Sequence, residues 1–194
     1  MNGYRGLAER WCTLIVCSIN MGFLLTSVRL DAWLVNQVHE DRGHDTEFKY
    51  WHMESVETFG VWSVCDRDNK QRCIDSLTFL QMVNGLQVAP VWLNSTRFFI
   101  VLSLLVQGYT CIAALHTLVN RGETFYVVHF VNPVGLVLQT IPLVFVIPDG
   151  KCRYLSHFEW DTSYFIAWVG AIIGFLTTFL SIIYNIRTRK LFRM

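Results

Sequence analysis

Four long apolar runs, separated by polar segments of very unequal length, dominate the pattern along this chain of 194 residues. They extend from about Trp11 to Val28, Phe98 to Val119, Phe125 to Ile147 and Tyr164 to Ile186. The first two hold no formal charge, the third contains Asn132, Pro133, Gln139 and Pro142, and the fourth is interrupted by Ser181 and Asn185. About 20 apolar residues are needed to cross a hydrocarbon core roughly 30 Å thick. The pattern therefore predicts four transmembrane helices, against the competing reading of a buried soluble bundle. Proline inside a membrane helix is tolerated where neighbouring helices help satisfy the freed backbone groups, so the third span is expected to be kinked and packed within the bundle.

The connections divide into two long ones, 31–96 and 148–163, a short one between the second and third spans, and a tail over 187–194. The whole chain, 1–194, reads as one domain. From Phe48 to Cys65 the segment "FKYWHMESVETFGVWSVC" is rich in aromatic and β-branched residues with partial alternation, which predicts strands punctuated at Gly60. The preceding Asn36 to Glu47 is polar and reads as a long turn. After Cys73, "IDSLTFLQMV" has helical spacing and ends before Pro90.

Composition agrees with the spans: 53% of residues are hydrophobic and 16% charged, and the mean hydropathy is positive. The charges are unevenly placed. Arg5, Arg10, Arg121, Arg187, Arg189, Lys190 and Arg193 lie in the N-terminus, the short connection and the tail, against Glu9 and Glu123. By the positive-inside rule these segments are cytoplasmic, so both termini are inside and the two long connections face outward. The outer connections are acidic, which suits cations or is simply a solvated surface. Nucleic-acid binding gains no support, because the basic residues cluster at helix ends where topology already explains them. Arg5 and Arg10 ahead of the first apolar run resemble a signal sequence, but no convincing small-residue cleavage site follows, and the run reads as an uncleaved anchor.

Topology changes the meaning of "FGVWSVCDRDNKQRC", residues 59–73, where a tryptophan and two cysteines sit in a highly charged stretch. Outside the cell the surroundings are oxidising, so Cys65 and Cys73 read as a disulfide. A metal site is the alternative, but the additional His39, His44 and His52 match no compact zinc pattern. Cys12, near the cytoplasmic interface, is a palmitoylation candidate, although Cys12, Cys17 and Cys111 all read first as buried small residues. Cys152 is exported without an evident partner. Asn94, in Asn94-Ser95-Thr96, is an outward-facing glycosylation candidate. His116 and His129 lie within apolar segments and read as hydrogen-bonded structure rather than proton relays. No catalytic constellation, metal set or cofactor motif stands out, and an enzyme is not expected.

Together these features resemble the claudin, peripheral myelin protein and epithelial membrane protein superfamily. Its members carry a Trp just after the first span, a Gly-Leu-Trp followed by two cysteines, and an Arg at the start of the second span. Here Trp33, Gly60-Val61-Trp62, Cys65 with Cys73, and Arg97 follow in the same order, with Val61 in place of Leu. The fourth span starts "FEWDTSYFIAWVGAIIG", similar to the aromatic "YGYAW"-like start in the epithelial membrane protein branch. The resemblance covers nearly the whole chain. The stretches from Trp33 to Gly60 and from Cys73 to Arg97 are longer than in typical claudins, and the tail "RKLFRM" lacks the Tyr-Val type signal of PDZ ligands.

The resemblance implies a left-handed four-helix transmembrane bundle topped by a small extracellular antiparallel β-sheet, four strands from the first long connection and one from the second. Trp33 and Trp62 would pack beneath the disulfide. Gly170 and Gly174 form a GxxxG face that permits close helix approach, internally or to a partner. Cytoplasmic segments this short leave no room for a signalling domain. The expected function is adhesion or junction organisation at the plasma membrane, through contacts with claudin-like proteins on the same or a neighbouring cell. The alternative is an auxiliary subunit of a channel or receptor, bound within the bilayer through the third and fourth spans.

Overall fold

The computed structural model describes residues 2–30, 33–36, 56–66, 73–84, 90–120, 127–155 and 158–191. The expected turn of Asn36 to Glu47, apart from its first residue, and His39, His44 and His52 lie outside the described residues, as do residues 48–55 of the expected strand region. Helix α1 covers Asn2–Arg29, and strands β1 to β4 follow at Leu34–Asn36, Val56–Phe59, Ser63–Asp66 and Cys73–Asp75. Helix α2 is Ser76–Asn84 and α3 is Val91–Val119. After a π-helical turn at Val127–Val131 come α4, Asn132–Ile141, a second π-helical turn at Pro142–Val146 and α5, Ile147–Tyr154. Strand β5, Phe158–Trp160, precedes α6, Thr162–Leu191.

Among the described residues, four helical stretches are long and apolar enough to cross a membrane: Arg10–Arg29, Val91–Val119, Asn132–Asp149 and Thr162–Tyr184. The helices extend beyond the apolar runs at several ends, α1 starting at Asn2, nine residues ahead of Trp11. Helix α3 begins at Val91, seven residues ahead of the apolar run, and the third helical stretch continues through α5 to Tyr154, so the second long connection is helical for nearly half its length. Hydropathy marks where a helix is apolar, not where its backbone hydrogen bonds stop. The expected proline irregularity takes the form of wider π turns, one just before Pro133 and one starting at Pro142. A proline removes one N–H and clashes with the carbonyl four residues earlier, and the wider turn at Val127–Val131 eases that clash for Pro133.

The chain separates into two compact units. The helical unit comprises Met1–Leu25, Phe99–Ile141 and Ile166–Met194. Its interior mixes small and polar residues with a few large apolar ones, Leu24, Ile100 and Leu136. On α3 the buried positions are Ile100, Ser103, Gln107, Thr110 and Ala114, at alternating spacings of three and four, whereas Val101, Leu105, Ile112 and Leu115 are exposed. Helix α6 buries Ala167, Gly170, Ala171, Gly174 and Thr178 and exposes Ile172, Phe175, Leu176, Phe179 and Leu180. Hydrogen bonds cross between the helices. Gln107 Nε2 donates to Gln139 Oε1 at 2.9 Å, Gln139 Nε2 to the Ala167 carbonyl at 3.0 Å, and Ser103 Oγ to the Gly135 carbonyl at 2.9 Å.

Gly170 and Gly174 face this interior. A Cβ on Gly170 would lie 2.6 Å from the Cβ of Phe23, and one on Gly174 would lie 2.5 Å from Leu136 Cδ2 and 2.9 Å from Asn20 Nδ2. Both glycines therefore serve close packing among α1, α4 and α6.

The sheet unit comprises Thr26–Phe98 and Pro142–Phe165. Its five strands are all antiparallel in the order β4-β3-β2-β1-β5. Four come from the first long connection and one from the second. The register aligns Leu34 with Phe59, Phe59 with Val64 and Val64 with Ile74, giving one apolar row across the sheet. Side chains alternate between faces along a strand, so this row and Phe158 form the core face. Phe59 is its centre, with edge contacts to Phe79 and Phe158 and a tilted contact to Trp92 at ring-centroid distances of 6.2 to 6.3 Å. Helix α2 supplies the fully buried Phe79 and Leu80 to the same core.

Candidate functional site

The turn joining β2 to β3 is Gly60-Val61-Trp62, closed by the Gly60 N–H donating to the Ser63 carbonyl at 2.8 Å. A three-residue turn leaves carbonyls that no ladder can use, and buried ones need donors. Two residues distant in sequence supply them. Ser76 Oγ donates to the Gly60 carbonyl at 2.7 Å and the Ser76 N–H to the Trp62 carbonyl at 3.1 Å. Arg97 Nε donates to the Val61 carbonyl at 2.9 Å, and its Nη2 approaches the Trp62 carbonyl at 3.4 Å. All three carbonyls are thereby satisfied.

Arg97 also donates from Nη2 to Asp75 Oδ1 at 2.8 Å, and its guanidinium lies 5.0 Å from the centre of the Trp62 ring. Asp75 is bound from its other oxygen as well: Oδ2 accepts the N–H groups of Leu77 and Thr78 at 2.9 and 3.2 Å, capping α2. The planar, five-donor guanidinium suits this divided task, which one ammonium could not match. The sequence reading assigned Gly60, Val61, Trp62 and Arg97 as motif residues, and the fold brings these four together. It missed Asp75 and Ser76, although an Asp-Ser pair ahead of an apolar helical run is a visible helix-start signal.

Cys65 and Cys73 form a disulfide across β3 and β4 from directly opposed positions. They share a face with Thr58, Val35 and Glu159, the face opposite the Phe59 row. The bridge thus pins the outer side of the sheet and leaves the core to aromatic packing.

Trp33 holds a different corner of this unit. Its indole N–H donates to the Ser27 carbonyl at 2.9 Å, satisfying one of the orphan carbonyls at the end of α1. Its backbone links β2 to the start of α6, donating to Phe59 and accepting from Asp161. Its ring meets Tyr164 edge-on, and Tyr164 stacks on Trp160 at 4.1 Å.

Of the remaining sequence candidates, Asn94 is exposed in the first turn of α3, while Thr96 of its sequon is buried with its hydroxyl donating to the Trp92 carbonyl. Cys12 is exposed, Cys17 buried and Cys111 half-buried. His116 is exposed and pairs with Asn120 at 2.7 Å. The side chains of His129 and Cys152 lie outside the described residues. Among the described residues no cluster of three His, Cys, Asp or Glu side chains has the arrangement of a metal site. The interhelical Gln107–Gln139 and Asn132–Thr178 pairs were not singled out as sites from sequence, though polar residues within apolar runs are the signal for them.

What this arrangement can do is present a stapled surface: a small sheet fixed by a half-buried arginine clamp and by a disulfide, with its outer face free of the core. Compared with known proteins, the chain matches no protein-family model and no curated protein.

Proposed function

We propose that this is a multi-pass plasma-membrane protein, similar in kind to the claudin superfamily, that organises cell–cell contacts through its sheet unit. The reversed burial of the helical unit supports membrane residence, since large apolar side chains cover its outside and Gln, Asn, Ser and Thr fill its inside. A water-soluble protein rarely exposes so many contiguous apolar residues. Both termini are cytoplasmic on this reading, and the sheet unit is extracellular, where its disulfide is stable.

The observation that carries the contact function is the clamped and crosslinked sheet with an outer face left for partners on the same or the neighbouring cell. A tagged protein is expected to enrich at contacts between polarised epithelial cells, with its N-terminal tag reached by antibody only after permeabilisation. Even distribution over the cell surface would refute the junction role. A second reading, an auxiliary subunit of a channel or receptor, is favoured by the exposed row Ile172, Phe175, Leu176 and Phe179 on α6, which offers a lateral surface to another membrane protein. Co-purification of a channel or receptor from native membranes, lost on changing Phe175 and Phe179 to Ala, is the outcome that would support it.

A further inference from the structure

Tyr109 stands on the outside of the helical unit. It is 55% exposed on α3, between the exposed Leu105 and Ile112, and its hydroxyl has no partner among the described residues. It lies eleven residues from Phe98 and ten from Val119, the two ends of the apolar run. About 15 Å of helix therefore separates it from either edge of a hydrocarbon core roughly 30 Å thick, beyond the reach of a tyrosine side chain to headgroups or water. Smaller hydroxyls avoid this cost within their own helices: Thr110 donates to the Gln107 carbonyl, Thr117 to that of Ala114 and Thr177 to that of Ile173. A phenol is held away from its own helix by its ring, and acyl chains offer it neither donor nor acceptor.

Gly108, the preceding residue, is half-exposed on the same helix. A Cβ there would meet only Met21 Cε, at 3.8 Å, an ordinary van der Waals contact, whereas a Cβ on Gly170 or Gly174 would run into its own unit. Internal packing thus accounts for those two glycines and not for Gly108. A small residue on a lipid-facing helix surface lets a second helix come close.

We propose that α3 pairs with α3 of a second copy of this chain, with Gly108 at the crossing and the two Tyr109 hydroxyls bonded to each other. Symmetry selects this occupant. A hydroxyl both donates and accepts, copies in one membrane share one orientation, and a two-fold axis along the membrane normal sets Tyr109 opposite Tyr109 at equal depth. A different membrane protein would need an unpaired polar group of its own at that depth, and a second copy always has one. Asn20, Gln107, Asn132 and Gln139 are buried inside the unit and leave Tyr109 to make this contact. The proposal rests on the membrane reading above.

The test reconstitutes the full-length protein, carrying donor or acceptor fluorophores at its N-terminus, in phosphatidylcholine vesicles and first checks insertion by resistance to alkaline extraction. Energy transfer is then followed as added lipid dilutes the protein, and transfer well above the random level is expected for the wild type. Tyr109→Phe, which removes one oxygen, should weaken association about three- to tenfold, and wild type mixed with Tyr109→Phe should pair as weakly, since a lone hydroxyl finds no partner. Gly108→Leu should weaken it at least tenfold. A photoreactive residue in place of Leu105 should crosslink to α3 of another copy. Inserted wild-type protein that stays monomeric would overturn the proposal, as would an inserted Tyr109→Phe protein that associates as strongly as wild type, or crosslinks confined to α1, α4 or α6. Failure of the wild-type protein to insert would instead overturn the membrane reading.

Discussion

Replacing Arg97 by Ala removes four contacts from one point in the sheet unit, the longest of them, to the Trp62 carbonyl at 3.4 Å, contributing least. The bond to the Val61 carbonyl is charge-assisted, worth about 1.5–3 kcal/mol. The ion pair with Asp75 contributes less, about 0–1 kcal/mol, because the two side chains are 18% and 45% exposed and solvent screens them. The contact with the Trp62 ring adds about 0.5–1 kcal/mol. The total is close to 3 kcal/mol, or about two decades in a local opening equilibrium. Amide hydrogen exchange in micelles reads this directly, since the Ser76 and Gly60 amides both close the clamped turn. Their exchange should quicken roughly 100-fold in Arg97→Ala. Asp75 permits an internal check. Asp75→Asn keeps a good cap for α2 and loses only the charge, about 0.5 kcal/mol, whereas Asp75→Ala also loses the cap, about 1 kcal/mol more. A change below threefold at Ser76 in Arg97→Ala, or equal effects of the two Asp75 variants, would refute the clamp.

The glycines of α6 should differ. Gly170→Ala confronts the Cβ of Phe23, close to the α1 backbone, and is expected to cost about 2–3 kcal/mol, while Gly174→Ala meets side-chain ends and should cost about 1 kcal/mol. Gly22→Ala has open space around it and should be neutral or stabilising by up to about 1 kcal/mol, and thermal unfolding in detergent ranks all three. Cys65→Ser, Cys73→Ser and the double change should reduce surface delivery equally, since each removes the same crosslink, worth roughly 2.6 kcal/mol on the chain-entropy account; additive losses would argue against the pairing. A double-mutant cycle of Gln107→Leu and Gln139→Leu should give a coupling of about 0.6–1.7 kcal/mol, and zero coupling would mean that their bond adds nothing to helix association.

The four long apolar helices were legible because their signal is one-dimensional: a run of apolar residues announces itself without reference to any neighbour. The disulfide was legible for a related reason, two cysteines eight positions apart in a charged connection of set topology. Strands β1, β4 and β5 are three residues each, too short to carry a period; β1 and β4 line up on Phe59 and Val64, and β5 joins β1 opposite Leu34. The helices run past their apolar stretches at Val91 and Tyr154 because backbone hydrogen bonding does not stop where hydropathy falls. Above all, the roles of the polar residues depended on folding. Arg97 could be recognised as a motif residue, but only the fold, closing 36 positions of chain, puts its guanidinium between the Val61 carbonyl and Asp75. Likewise, Gln107, Asn132 and Gln139 look like interruptions along the chain and become the bonds that join the helices once folded. A carbonyl or amide shows its need for a partner locally, but which distant residue meets that need is decided only when the helices and sheet close around it.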